Sequence, residues 1–119
     1  MNRTLSLQHI RPEITIDNSR ESLDLEGFQN VTLRPILKFQ NEILLALVNQ
    51  HLDQKVTQLP VEKQLEDLIK KNTAFKQQLI GLTIGLFTVE ELGFYLQHQQ
   101  ALNKRITQLI LKRVGDQIN

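Results

Sequence analysis

The sequence predicts an all-α protein: a bundle of three to four main helices with an N-terminal arm that is extended or partly ordered. Three observations carry this. From Leu33 onward apolar residues recur every three to four positions, the period of an amphipathic helix. Residues Thr88 to Glu91 read as a capping box, the signature of a helix start. The chain has 119 residues, 40% of them apolar, which suits one domain with one core.

Residues 1–30 differ from the rest and form the expected arm; residues 31–119 form the expected bundle domain. All three serines lie in the arm, with the acids Glu13, Asp17, Glu21, Asp24 and Glu26. "EITI" can form a short extended piece with Ile14 and Ile16 on one side. "SRESLDLEG" reads as one or two helical turns ended by Gly27. Leu23, Leu25 and Phe28 are the expected anchors on the body, and plain disorder of a terminus is the alternative.

The first helix of the body has Leu33, Ile36, Leu37, Gln40, Ile43, Leu44, Leu47 and His51 on its stripe. Thr32 is its expected N-cap, with Pro35 in the first turn and an end near Val56. Pro60 opens a second helix, "VEKQLEDLIKKN", with Val61, Leu65, Leu68 and Ile69 on one face. Asn72 and Thr73 mark a break or a bend. A third helix covers Ala74 to Phe87, where Gly81 and Gly85 lie one turn apart as a flat strip for close helix packing. The chain turns at Thr88 into a last helix carrying Leu92, Tyr95, Leu96, Gln99, Leu102, Ile106, Leu109, Ile110 and Arg113. A pause is expected near "QHQQ" and an end near Gly115.

Composition excludes several classes. The net charge is +1, so charge points to neither nucleic acid nor an acidic tail. Without cysteine, disulfides, thiolate nucleophiles and cysteine-ligated zinc are excluded together. The first residues lack the apolar core of a signal peptide. The longest nearly apolar run, Leu79 to Val89, is interrupted by Thr83 and Thr88 and falls short of the about 20 residues of a membrane span. A soluble cytoplasmic protein with no membrane partner is the expectation. Gly85 is followed by Leu86 and Phe87, not Lys and Ser/Thr, which removes a phosphate loop.

Candidates for chemistry are few. His9, His51 and His98 lack metal-ligand spacing. Glu91, Tyr95 and His98 share a face of the last helix, and a carboxylate beside an imidazole can orient it as a base; a solvated helix flank is the alternative. The glutamates after Thr88 are most simply capping and dipole groups. Gln40 and Gln99 sit on apolar seams and need partners, either each other or a neighbouring loop, with a ligand-facing role as the alternative. Arg105, Gln108 and Lys112 form a basic stripe; nucleic-acid interfaces usually need a larger patch with aromatics, so a solvated face is favoured and a nucleic-acid or anion binder is the weaker alternative. "IRPEI" and "LRPIL" are too short to count as repeats. No catalytic residue, metal ligand or cofactor is assigned.

The motifs "FQNVTLRPILKFQNEIL" (Phe28 to Leu44), "GLTIGLFTVEEL" and "ALNKRI" resemble, in their order, a family of short bacterial proteins often labelled glyoxalase. The resemblance covers about three-quarters of the chain. Glyoxalase I-type enzymes bear His and Glu metal ligands on the strands of paired βαβββ modules; this chain reads as helical there, and no residue matches such a ligand. The resemblance implies a helical bacterial protein and draws attention to Arg34–Pro35, Gln40–Asn41 and Asn103–Arg105. The functional expectation is a non-enzymatic interaction or self-association module, a homodimer or a partner of another helix. The rival is a small metal-dependent or acid–base enzyme using His98, Glu91 and His51.

Overall fold

A computed structural model describes residues 2–14, 24–52 and 60–118, and these residues form an all-α fold. Helix α1 (Arg3–Leu7) is capped by Asn2, whose side chain accepts from the Thr4 N–H. Ile14 is buried; Ile16, Leu23, Val56 and the acids Asp17 and Glu21 lie outside the described residues.

The next helical path starts eight residues before the expected cap at Thr32. Asp24 is the cap, its carboxylate accepting from the Gly27 N–H at 2.7 Å. Gly27 therefore lies inside helix α2 (Leu25–Phe28) rather than ending it, and no described glycine has a positive φ. The path continues without a cap through a π-helical turn, Gln29–Leu33, into α3 (Arg34–Phe39). In a regular helix the Pro35 ring would strike the carbonyl of Val31. The wide turn that contains Val31, closed by the Arg34 N–H on the Gln29 carbonyl, accommodates the proline without ending the helix. Gln40, at φ −85° and ψ 4°, breaks the path before α4 (Asn41–Leu52).

Helix α5 (Val61–Lys71) begins after Pro60 as the sequence predicts. Asn72 is a true break: its side chain accepts from the Phe75 N–H and caps α6 (Thr73–Ile84). Thr88 and Glu91 form both bonds of the expected capping box at the start of α7 (Val89–Gln97). His98, at φ −130° and ψ 32°, is the pause before α8 (Gln99–Ile118).

Helix α8 is the axis of the core and packs on α4, α5 and α6. Its residues Leu102, Ile106, Ile110 and Val114 recur every four positions and are all buried. They meet Leu44 and Val48 of α4, Leu65 and Ile69 of α5, and Phe75, Leu79 and Ile80 of α6 in one cluster. Each such side chain contributes about 1.5–3 kcal/mol by leaving water. Among the described residues, no helix is long and apolar enough to cross a membrane.

Two glycine expectations are corrected. Gly81 and Gly85 are exposed, and a methyl added at Gly81 would meet nothing within 4 Å; within this chain they make no close helix contact. Gly115 does not end the last helix. It is buried, and an added methyl there would sit 3.4 Å from Cγ of Glu62, so the close approach is between α5 and α8.

Candidate functional site

Helix α6 runs out of backbone donors over its last turn, as every helix does. The last carbonyls nevertheless have partners. Gly81 and Thr83 accept from the Gly85 N–H, and Ile84 accepts from the Phe87 N–H. Leu82 accepts from the side-chain amide of Gln40 at 3.0 Å. Gly85 and Phe87 accept from the Arg3 guanidinium, both at 2.8 Å, and Leu86 accepts from Arg11 at 2.7 Å. Two cations at a helix C-terminus also suit its dipole.

Arg11 then joins this helix end to the start of the next. Its Nη1 and Nη2 donate to the two oxygens of Glu91 at 2.7 and 2.9 Å, and its Nε donates to Glu13 at 2.8 Å. Glu91 also accepts from the Thr88 N–H at 2.8 Å and from the Thr32 hydroxyl at 2.9 Å. Arg11 is 2% exposed and Glu91 8%. Burial alone would raise the Glu91 pKa, but the bonds from Arg11 and Thr88, the Arg11 charge and the Thr32 hydroxyl hold it below its ordinary value. For Arg11, burial pulls the pKa down, and Glu91 and Glu13 more than reverse the effect. A carboxylate with four donors and a lowered pKa is a poor proton acceptor. This corner is built to hold four chain segments together. An aromatic cluster lies beside it: Phe28 meets Phe87 edge-on at 5.6 Å and stacks on Phe94 at 4.8 Å.

The acid–base trio of the sequence is thus divided among separate partners. Glu91 is spent on Arg11, Thr32 and Thr88. The buried Tyr95 donates its hydroxyl to Asn103. His98 is exposed, its ring 4.6 Å from that of Phe94. His51 lies 4.1 Å from the Phe75 ring, with Nδ1 donating to the Leu47 carbonyl at 3.0 Å. Among the described residues, no three His, Asp or Glu side chains are grouped to hold a metal ion. Gln40 does not pair with Gln99, which is exposed at the start of α8. Asn41 and Gln117 exchange amide bonds at 2.8 and 2.7 Å and tie α4 to α8. Arg105 donates to Gln29 at 2.9 Å, so the basic stripe is partly engaged.

What remains open to solvent lies elsewhere. A shallow cleft of ≈ 680 Å³ is lined by Ile10, Pro12 and Glu13 of the N-terminal segment, by Asn30, Arg34, Pro35, Lys38 and Phe39, and by Arg113 of α8. A second, of ≈ 340 Å³, shares Arg34 and Arg113 and adds Leu37, Leu109, Lys112, Asp116 and Gln117. Arg34, singled out in the sequence, therefore lies at the junction of both. Among the described residues its side chain donates only through Nε, to Asn30 at 3.0 Å.

Sequence reasoning missed Arg3, Arg11 and Ile10. One signal was present for Arg11. Leu7, Arg11 and Ile14 are spaced by four and three, so the arginine falls on an apolar line, and all three are buried. Comparison with family models, with curated proteins and with solved structures finds no match to this chain.

Proposed function

We propose that the protein is a non-enzymatic helical interaction module that self-associates as a homodimer. One contrast supports this reading above others. Leu5, Ile10, Phe39, Ile43, Val89 and Leu96 are 41% to 71% exposed, while every buried polar side-chain atom among the described residues has a hydrogen-bond partner inside the chain. Catalytic groups are held available for substrate; here the availability lies in apolar surface. Large apolar side chains kept in water in groups are the mark of a contact surface.

Helix α7 offers the face for a second copy. Val89 (71% exposed) and Leu96 (56%) stand seven residues apart on one side, with the exposed Gly93 between them and nothing within 4 Å of where its methyl would be. This line is uncharged, so its own copy can meet it across a two-fold axis without like charges facing along it. Sedimentation velocity over a concentration series tests the reading. A dimer that becomes monomeric in Leu96→Lys is the expected result. A wild-type protein that stays monomeric throughout would overturn self-association.

A further inference from the structure

The Ile10–Phe39 cleft has a different chemistry from the α7 face. The apolar part of its lining, the floor, is Phe39 (54% exposed), Ile10 (41%), Pro12 and Pro35. The cationic part, the rim, is Arg34, Lys38 and Arg113. Among the described residues the lining holds one carboxylate, Glu13, which already accepts from Arg11. Arg113 makes a single long bond, 3.3 Å, to Asn41, and Lys38 has no ion pair among the described residues. The neighbouring cleft shares Arg34 and Arg113 and adds one cation, Lys112, and one carboxylate, Asp116.

We infer that this cleft docks an acidic segment of another protein, one that carries a bulky apolar side chain for the floor and Asp or Glu residues for the rim. The inference rests on the interaction-module reading and names the partner class. Charge selects among the occupants. A second copy would bring Arg34, Lys38 and Arg113 against the same three cations, which disfavours an isologous contact here. Nucleic acid is a poorer match: the centre of the patch is aliphatic with one phenyl ring, whereas single-strand binders stack successive bases on several aromatics above a cationic track. An acidic segment with an apolar anchor matches both halves, the anchor supplying contact area and the carboxylates orientation and rate.

The test is a random-peptide display selection on the full chain, run in parallel on Arg34→Glu/Lys38→Glu, with circular dichroism to show that both are folded. The expected result is enrichment of peptides combining Asp or Glu with Phe, Trp or Leu. The best of these, as a labelled peptide in fluorescence anisotropy, should bind the double variant and Phe39→Ser at least about tenfold more weakly, and should weaken as salt rises. No enrichment, enrichment of basic or uncharged peptides, or equal binding to the variants would overturn the inference. A uridine oligonucleotide that binds the cleft more tightly than the best peptide would also overturn it. Sedimentation of the same samples separates the two readings: a dimer that selects no acidic peptide sinks the cleft alone, and a monomer that selects them sinks self-association alone.

Discussion

Arg11-Pro12 and Arg34-Pro35 are the same dipeptide in two surroundings. Arg11 is 2% exposed and donates to Glu13, Glu91 and the Leu86 carbonyl. Arg34 is exposed, makes one side-chain bond among the described residues and lines both clefts. The difference comes from position along the chain. Arg11 meets a half-buried helix end that lacks donors and a helix start that carries a buried carboxylate. Arg34 follows a π-helical turn that turns Thr32, not Arg34, toward Glu91. The same guanidinium is thereby a structural strut in one place and an available charge in the other, which is why the corner is assigned to stability and the cleft to recognition.

The largest way to break the comparison is Glu91→Ala. It leaves Arg11 buried without its partner and removes the side-chain half of the capping box, while the bond from the backbone N–H of residue 91 to Thr88 remains. Breaking a buried pair costs about 3–5 kcal/mol, so a loss of that size is expected in urea unfolding. A loss near 1 kcal/mol would mean that the corner acts as a cap and nothing more.

Acid sharpens it next. The folded-state pKa of Glu91 lies below its ordinary 4.5, so the unfolded chain binds protons more readily there. The stability that Glu91 contributes is full above pH 4.5 and is lost as pH falls below it toward the depressed folded value. Arg11, whose pKa is raised further by Glu91 and Glu13, stays charged across that window and adds no slope. Glu91→Gln should therefore be less stable at neutral pH and show a shallower loss between pH 5 and 3. Parallel curves for wild type and variant would contradict the assignment.

The cleft is expected to respond in the opposite sense. Arg34→Glu/Lys38→Glu removes two exposed cations and should leave the unfolding free energy within about 0.5 kcal/mol of wild type, while selected acidic peptides bind at least about tenfold more weakly. The smallest effect is at Gly81. An exposed, helical glycine with nothing near its missing methyl gains stability on Gly81→Ala, by about 0.4–1 kcal/mol. A loss there would reveal a contact that the chain makes with a second copy.

How much of this was legible in the sequence follows the range of the interactions. The Thr88–Glu91 capping box and the start after Pro60 depend on residues a few positions apart, and the sequence shows them directly; at Asn72 it leaves a break or a bend open, and near His98 it indicates a pause, and the structure resolves both as breaks. The Arg11–Glu91 pair spans 80 positions, and nothing local distinguishes Arg11 from Arg34 except the apolar line of Leu7 and Ile14. The π-helical turn was hidden because Pro35 reads as a first-turn residue and Gly27 as a terminator, although both are accommodated inside one helical path. Gly81 and Gly85 suggest a packed strip by spacing alone. Spacing does not say which side of α6 the neighbouring helices take, and they take the side of Leu79 and Ile80.

The most direct measurement is urea unfolding of Arg11→Met and Arg34→Met side by side. Each removes one guanidinium before one proline and leaves an apolar stem. The division between strut and available charge predicts a loss of about 3–5 kcal/mol for Arg11→Met and less than about 0.5 kcal/mol for Arg34→Met. Equal losses, or the larger loss at Arg34, would contradict it.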